Sequence, residues 1–169
     1  RKDFSSPFSV AQRTFFSHFA QNSDDELFIS RPEQAHIDNQ WTFYLGIRLL
    51  DPSGKFRGVL VAAINVDYFE SLYESINLDF VSRILLLNRD GILMAGQHHG
   101  HSGLGESFID PVELEQIRAE ARSEFVVSTP GDGDGRWLVA YHLVSDYPLM
   151  VSPAVNEEDA LIPWRRVAL

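Results

Sequence analysis

The chain has 169 residues, enough for one large domain or two small ones of about 80 residues each. With 44% hydrophobic and 12% aromatic residues it can bury a core, while a net charge of -10 repels a phosphate backbone and disfavours nucleic-acid binding. It holds no cysteine, which excludes disulfides, thiolate metal sites and thiol nucleophiles, and its longest apolar run, Val59 to Ile64, is far short of the roughly 20 residues that cross a bilayer.

Val10 to Ala20 has helical spacing, with Phe15, Phe16 and Phe19 on one side and Ser9 placed to cap the start. Asn22 to Glu26 is polar and breaks the pattern. Leu27 to Ser30 reads as a short strand, and Arg31 to Gln40 as a loop. Trp41 to Leu50 is aromatic and branched, Asp51-Pro-Ser-Gly54 is a turn signal, and Phe56 to Val66 is a second strand. The continuous apolar middle of that second strand predicts burial on both faces. Asp67 is placed to cap a helix reaching Ile76, with Phe69, Leu72, Tyr73 and Ile76 on one face.

Ser82 to Asn88, the Asp90-Gly91 turn and Ile92 to Gly96 predict another hairpin. Gln97 to Glu106 reads as a loop. Pro111 to Ala121 reads as a helix with Asp110 before it. Glu124 to Thr129, Trp137 to Val144 and Leu149 to Val155 predict three consecutive antiparallel strands, joined through GDGDG and Ser-Asp-Tyr-Pro. Asn156 caps a last helix whose first turn carries Glu157, Glu158 and Asp159, and Pro163 should kink it or start a new segment. The second half reads strand, strand, helix, three strands, helix. The first half reads helix, short strand, two long strands, helix, as if it lacked two opening strands.

FF, LFISRP, a tryptophan and RLLDPSGKFRGVLVAAINVDYFESLYESI, in that order, resemble the double Cache sensor domains. These are PAS-like periplasmic modules of chemoreceptors, histidine kinases and, above all, diguanylate cyclases. LLLNRDGILMA, WLVAYHLVSDYPLMVSPAVNEEDAL and WRR resemble the membrane-proximal copy. The resemblance covers roughly residues 12 to 166. It implies an α+β fold of tandem PAS-like modules with antiparallel sheets. Residues 1–77 would form a partial membrane-distal module lacking its lead-in helix and first strands. Residues 78–169 would form the membrane-proximal module with an output helix. It further implies a periplasmic location between flanking membrane spans, a homodimeric receptor, and no enzymatic activity in the domain itself.

A small polar ligand needs an aromatic wall, a cation for a carboxylate, and an anion or amide for an amine. Trp41, Phe43, Leu45 and Ile47 alternate onto one strand face, and Thr42, Tyr44, Gly46 and Arg48 onto the other. Asn65 and Asp67 end the partner strand, and Arg31 precedes the hairpin. The candidate site is therefore Arg31, Trp41, Phe43, Tyr44, Asn65 and Asp67. The resemblance places Asp67 where amino-acid-binding members take the ammonium, but the arginine those members hold beside the tryptophan is missing. The competing reading makes Trp41 and Phe43 core and Asp67 a helix cap.

His98, His99 and His101 have the residue type of a metal site, yet their glycine-rich loop carries no carboxylate until Glu106. GDGDG lacks the closing glutamate of a calcium loop. Ser102 lies in Gly-His-Ser-Gly, which is not a nucleophile elbow. The sequence therefore predicts no cofactor and no catalytic residue. It leaves a ligand-free dimerisation spacer, and then a metal-dependent hydrolase, as alternatives.

Overall fold

The computed structural model describes residues 13–22, 26–35, 38–75, 83–96, 103–119, 125–130 and 136–167. Among the described residues, two antiparallel sheets and four helices make an α+β fold. In the first sheet, β3 (Trp41–Leu50) and β4 (Phe56–Asn65) pair from Thr42 opposite Asn65 to Leu50 opposite Phe56. The expected turn joins them. Asp51 Oδ1 accepts from Ser53 N, Ser53 Oγ and Lys55 N at 2.9, 2.6 and 3.0 Å. The bond from the Ser53 hydroxyl, then that from the Lys55 amide, holds the Asp51 carboxyl below its usual range. Gly54 supplies the positive φ of 81° that the turn requires.

The other edge of β3 is shared by two short strands, β1 (Phe28–Ile29) and β2 (Glu33–Gln34). β2 falls inside the segment expected to be a loop. Two residues beside Pro32 are too few to show any period. Helix α1 (Thr14–Gln21) covers this sheet with Phe15 and Phe19 buried. Arg13 is extended, so the helix starts at Thr14; the expected cap Ser9 lies outside the described residues. Gly46 eases the close approach of α1, because a Cβ there would stand 3.1 Å from Phe19 Cε2, a tight contact.

Helix α2 (Val66–Ser75) follows β4 directly. Its cap is Asn65, not Asp67. Asn65 Oδ1 accepts the Asp67 amide at 2.8 Å, which leaves Asp67 in the first turn. Phe69 and Tyr73 turn inward as expected, whereas Leu72 is 39% exposed.

The second sheet comprises β5 (Arg83–Asn88), β6 (Leu93–Gly96), β7 (Phe125–Pro130), β8 (Arg136–Leu143) and β9 (Leu149–Asn156), in the order β6-β5-β9-β8-β7. Helix α3 (Pro111–Ala119) starts on Asp110, whose Oδ1 accepts from Val112 N at 2.8 Å. Helix α4 (Glu157–Val167) starts on Asn156, whose Oδ1 accepts from Glu158 N at 2.9 Å. Its helical backbone continues through position 163, so no new segment starts there.

Two apolar clusters share the second sheet. Leu85, Leu87, Tyr141 and Met150 pack with Ile109 and with Ile117 of α3. On the other face, Leu86, Met94 and Ala95 pack against Phe43 of the first sheet and Val66 of α2. β5 is thus the strand buried on both faces, with Leu85 at 1% exposure on one and Leu86 at 4% on the other. The expectation that β4 fills that role is corrected. β5 is flanked by β6 and β9 and packed above and below, whereas β4 pairs only with β3 among the described residues and leaves Leu60 59% exposed.

Burial pushes the Tyr73 phenol up to about 12 from its ordinary 10. The folded state then holds its proton more tightly than the unfolded chain. This contribution is complete below pH 10 and disappears as pH rises toward 12. Denaturant titrations should show a loss of about 2 to 3 kcal/mol across that window from this group, and Tyr73→Phe should flatten the slope. Phe43→Ala, which opens a cavity between the sheets, should cost about 3 to 5 kcal/mol in the same assay.

Candidate functional site

The β3–β4 hairpin carries four of the six candidate residues, and its pleat divides them. Phe43 is 1% exposed and stacks on Phe69, with ring centroids 5.9 Å apart. Trp41 is half-buried and borders the same cluster between the sheets. Tyr44 faces the other way, under α1, with its ring 5.4 Å from that of Phe15. Asn65 is opposite Thr42, and therefore shares the Tyr44 face. Its Nδ2 donates to Gln40 Oε1 at 2.7 Å. Asp67 is half-buried in the first turn of α2. The structure thus brings Tyr44 and Asn65 onto one face and places Trp41 and Phe43 on the opposite one.

Arg31 lies where the first sheet's edge breaks between β1 and β2. Ser30, 4% exposed, repairs that break. Its amide donates to Tyr44 O at 2.9 Å, its Oγ accepts from Tyr44 N at 2.9 Å, and its hydroxyl donates to Arg31 O at 2.9 Å. The serine side chain therefore stands in for a backbone acceptor and fixes Arg31 beside Tyr44. Arg31 itself is exposed and lines a cavity of about 340 Å³ with Ile29, Glu33 and Asp90.

Sequence spacing offered no arginine beside Trp41, yet a guanidinium is present on the Tyr44 face. Arg13 Nη2 donates to Tyr44 Oη at 2.9 Å, and Arg13 Nη1 pairs with Glu33 Oε1 at 2.9 Å. The guanidinium carbon is 5.2 Å from the centre of the Tyr44 ring. Arg13 and Tyr44 are 31 positions apart, so no local motif could have announced the pair. In the second sheet, Tyr141 Oη donates to Glu113 Oε1 at 3.2 Å. Burial, reinforced by the Glu113 charge, holds that phenol far above its ordinary range. These groups offer recognition chemistry: a cation, phenols, an amide and carboxylates.

Among the described residues, no group of His, Cys, Asp and Glu could hold a metal ion. His98, His99, His101, Ser102 and the GDGDG turn lie outside the described residues. No described helix is long and apolar enough to cross a membrane.

A family model described as a dCache_1-like histidine kinase sensor domain matches residues 66–154, more than half of the chain. The chain belongs to this sensor-domain family. Like its relatives, this dCache_1-like domain is a sensor module and not an enzyme. It is similar to the extracellular domain of rpHK1S-Z16, assigned as a histidine kinase, with 30% identity and a TM-score of 0.72 over 90% of this chain and 62% of that one. It also resembles the periplasmic sensory domain of the Campylobacter jejuni chemoreceptor Tlp1, at 15% identity and TM-score 0.69, covering 91% of this chain and 58% of that one. The fold likewise resembles the ligand-binding domain of the Pseudomonas aeruginosa amino acid chemoreceptor PctB in complex with L-Arg. That match has 11% identity and a TM-score of 0.69 over 96% and 67% of the two chains. The dCache_1-like chain therefore spans about 60% of the length of the first two. None of the curated proteins matches it. These relatives are a histidine kinase and chemoreceptors; the cyclase association expected from the motifs is not found in them.

Ser30→Ala tests the repaired edge. It strips a buried acceptor from the Tyr44 amide, so urea unfolding should show a loss of about 1 to 3 kcal/mol.

Proposed function

We propose that this domain is the extracytoplasmic input of a transmembrane signalling receptor, and that it responds to a small polar ligand of amino-acid type. The observation that carries this reading is the sensor-domain match over residues 66–154. PctB and the chemoreceptor CtaA, whose folds are similar, are in complex with L-Arg and with L-alanine. The proposed contacts are Tyr44 and Asn65 on the α1 face, Asp67 and Trp41 at the end of the hairpin, and Arg31 at the margin. Phe43 backs the sheet from the core side. Arg13 supplies the cation that the residues next to Trp41 lack, once a ligand carboxylate competes with Glu33 for it.

The proposed modules are residues 1–77, membrane-distal, and 78–169, membrane-proximal. Their internal order supports this. Helix, short strands, two long strands and helix in the first half mirror α3, β7, β8, β9 and α4 in the second. β9 is paired on its far edge by β5, whereas β4 has no described partner on its far edge. Natural edge strands are normally blunted by charge or proline. From Gly58 to Ile64, β4 has neither. Two further strands would complete that sheet. Ligand binding shifts the population of two receptor states, and α4 conveys the shift toward a membrane span. The receptor is proposed to be a homodimer. A histidine kinase is the favoured output, and the sequence resemblance alone speaks for a diguanylate cyclase.

Thermal melts against the twenty amino acids and a set of small carboxylates test this reading. At least one compound should raise the Tm. Asp67→Ala and Trp41→Ala should each abolish that rise while keeping the far-ultraviolet circular dichroism of the parent. An undiminished rise in both variants would discard the hairpin site. No rise with any compound would favour a ligand-free spacer.

A further inference from the structure

A second recognition site lies between the two sheets, away from the end of the hairpin. Two adjoining cavities of about 350 and 340 Å³ share Phe28, Ile29, Asn88 and Asp90. Each reaches the size of small-molecule sites, which begin at about 300 Å³. Together they form one elongated groove. One wall is the β1 edge of the first sheet. The other is the β5–β6 turn of the second.

That second wall is stiff. Asn88 Oδ1 accepts from Asp90 N and Ile92 N, each at 2.9 Å. The Arg89 amide donates to Pro148 O at 3.2 Å. Arg118 of α3 clamps the turn from outside, donating to Arg89 O at 2.9 Å and to Asp90 Oδ1 at 3.1 Å.

The groove carries charges of both signs. Glu26 and Arg89 line the first cavity only, and Arg31 lines the second only. None of these three has an ion-pair partner among the described residues. Glu33 and Asp90, by contrast, are already matched by Arg13 and Arg118. Among the described residues, an unpaired carboxylate, Glu26, therefore stands at one end with the guanidinium of Arg89 beside it, and the unpaired guanidinium of Arg31 stands at the other, with Phe28 and Ile29 between them. A ligand that meets Glu26 and Arg31 together is a zwitterion with its charges separated by a partly apolar body. A dianion would meet the chain's net charge of -10, and a neutral zwitterion does not.

We propose that this groove binds a short peptide of two or three residues with free termini. Its ammonium meets Glu26, its carboxylate meets Arg31, its side chains lie on Phe28 and Ile29, and its amide groups meet the Asn88 side chain. Such a ligand touches both sheets at once, so its binding favours whichever relative placement of the two sheets closes the groove. This site shares Arg31 with the margin of the hairpin site but none of Tyr44, Asn65, Asp67 and Trp41, and it does not rest on that reading.

The test is titration calorimetry of the 169-residue chain with trialanine, N-acetyl-trialanine, trialanine amide and free alanine. Trialanine should bind, and blocking either terminus should weaken it by about tenfold. Arg31→Gln should erase the difference between trialanine and its amide. Glu26→Gln should erase the difference between trialanine and its acetylated form. Asp67→Ala should leave trialanine binding unchanged, whereas the hairpin-site reading predicts loss of the free amino-acid response in that variant. No trialanine binding, equal binding of all three peptide forms, or an undiminished preference for the free termini in both variants would overturn the groove.

Discussion

Burial of the Phe43 face of β3 against Leu86, Met94 and Ala95 is the contact on which the rest depends. It locks the two sheets together and settles the orientation of β3 by its period of two. Once Trp41, Phe43 and Leu45 turn toward the second sheet, Thr42, Tyr44 and Gly46 must turn toward α1. A slip of one residue would send Phe43 under the helix and Tyr44 into an apolar cluster. Gly46 then suits this position, because any side chain there would crowd the Phe19 ring. The same contact makes β5 a strand with two dry faces, since α3 and its neighbours already cover the side opposite Leu86.

Local polar bonds finish what that packing starts. Asn65, Asp110 and Asn156 each accept an amide at the beginning of a helix, and Asp51 and Asn88 each gather the amides of a turn. All five are short Asx side chains at points where the chain leaves a strand or loop. Each satisfies donors that would otherwise have no partner. Ser30 performs the same service within the sheet, where Pro32 interrupts the edge strand. These bonds matter for recognition because they fix the backbone that presents Tyr44, Arg31 and the β5–β6 turn.

The proposed recognition surfaces lie at seams. Tyr44 meets Arg13 where α1 crosses the first sheet, and the peptide-sized groove opens where the first sheet meets the second. Residues from distant parts of the chain converge at both places. A ligand at either proposed seam would act on how two elements are placed, as the proposed output through α4 requires.

The sequence by itself determined the local elements. Period-two alternation and the Asp-Pro-Ser-Gly turn defined the β3–β4 hairpin, the Asp-Gly turn defined β5–β6, and Asp110 and Asn156 marked their helix starts. The opposite orientation of Phe43 and Tyr44 was also legible, because the pleat is a property of the strand alone. The motifs in their order point to the sensor family without reference to the fold. Tertiary structure decided the rest. An apolar run looks the same in a central strand and in a strand at the edge of a sheet, so neither the two-sided burial of β5 nor the open side of β4 could be read from composition. Asn65 and Asp67 are both good caps, and only the backbone geometry at Val66 chose between them. The guanidinium that faces Tyr44 comes from 31 positions away, and the groove is built from both sheets. Such features depend on the distance between segments in space, which one-dimensional spacing does not encode.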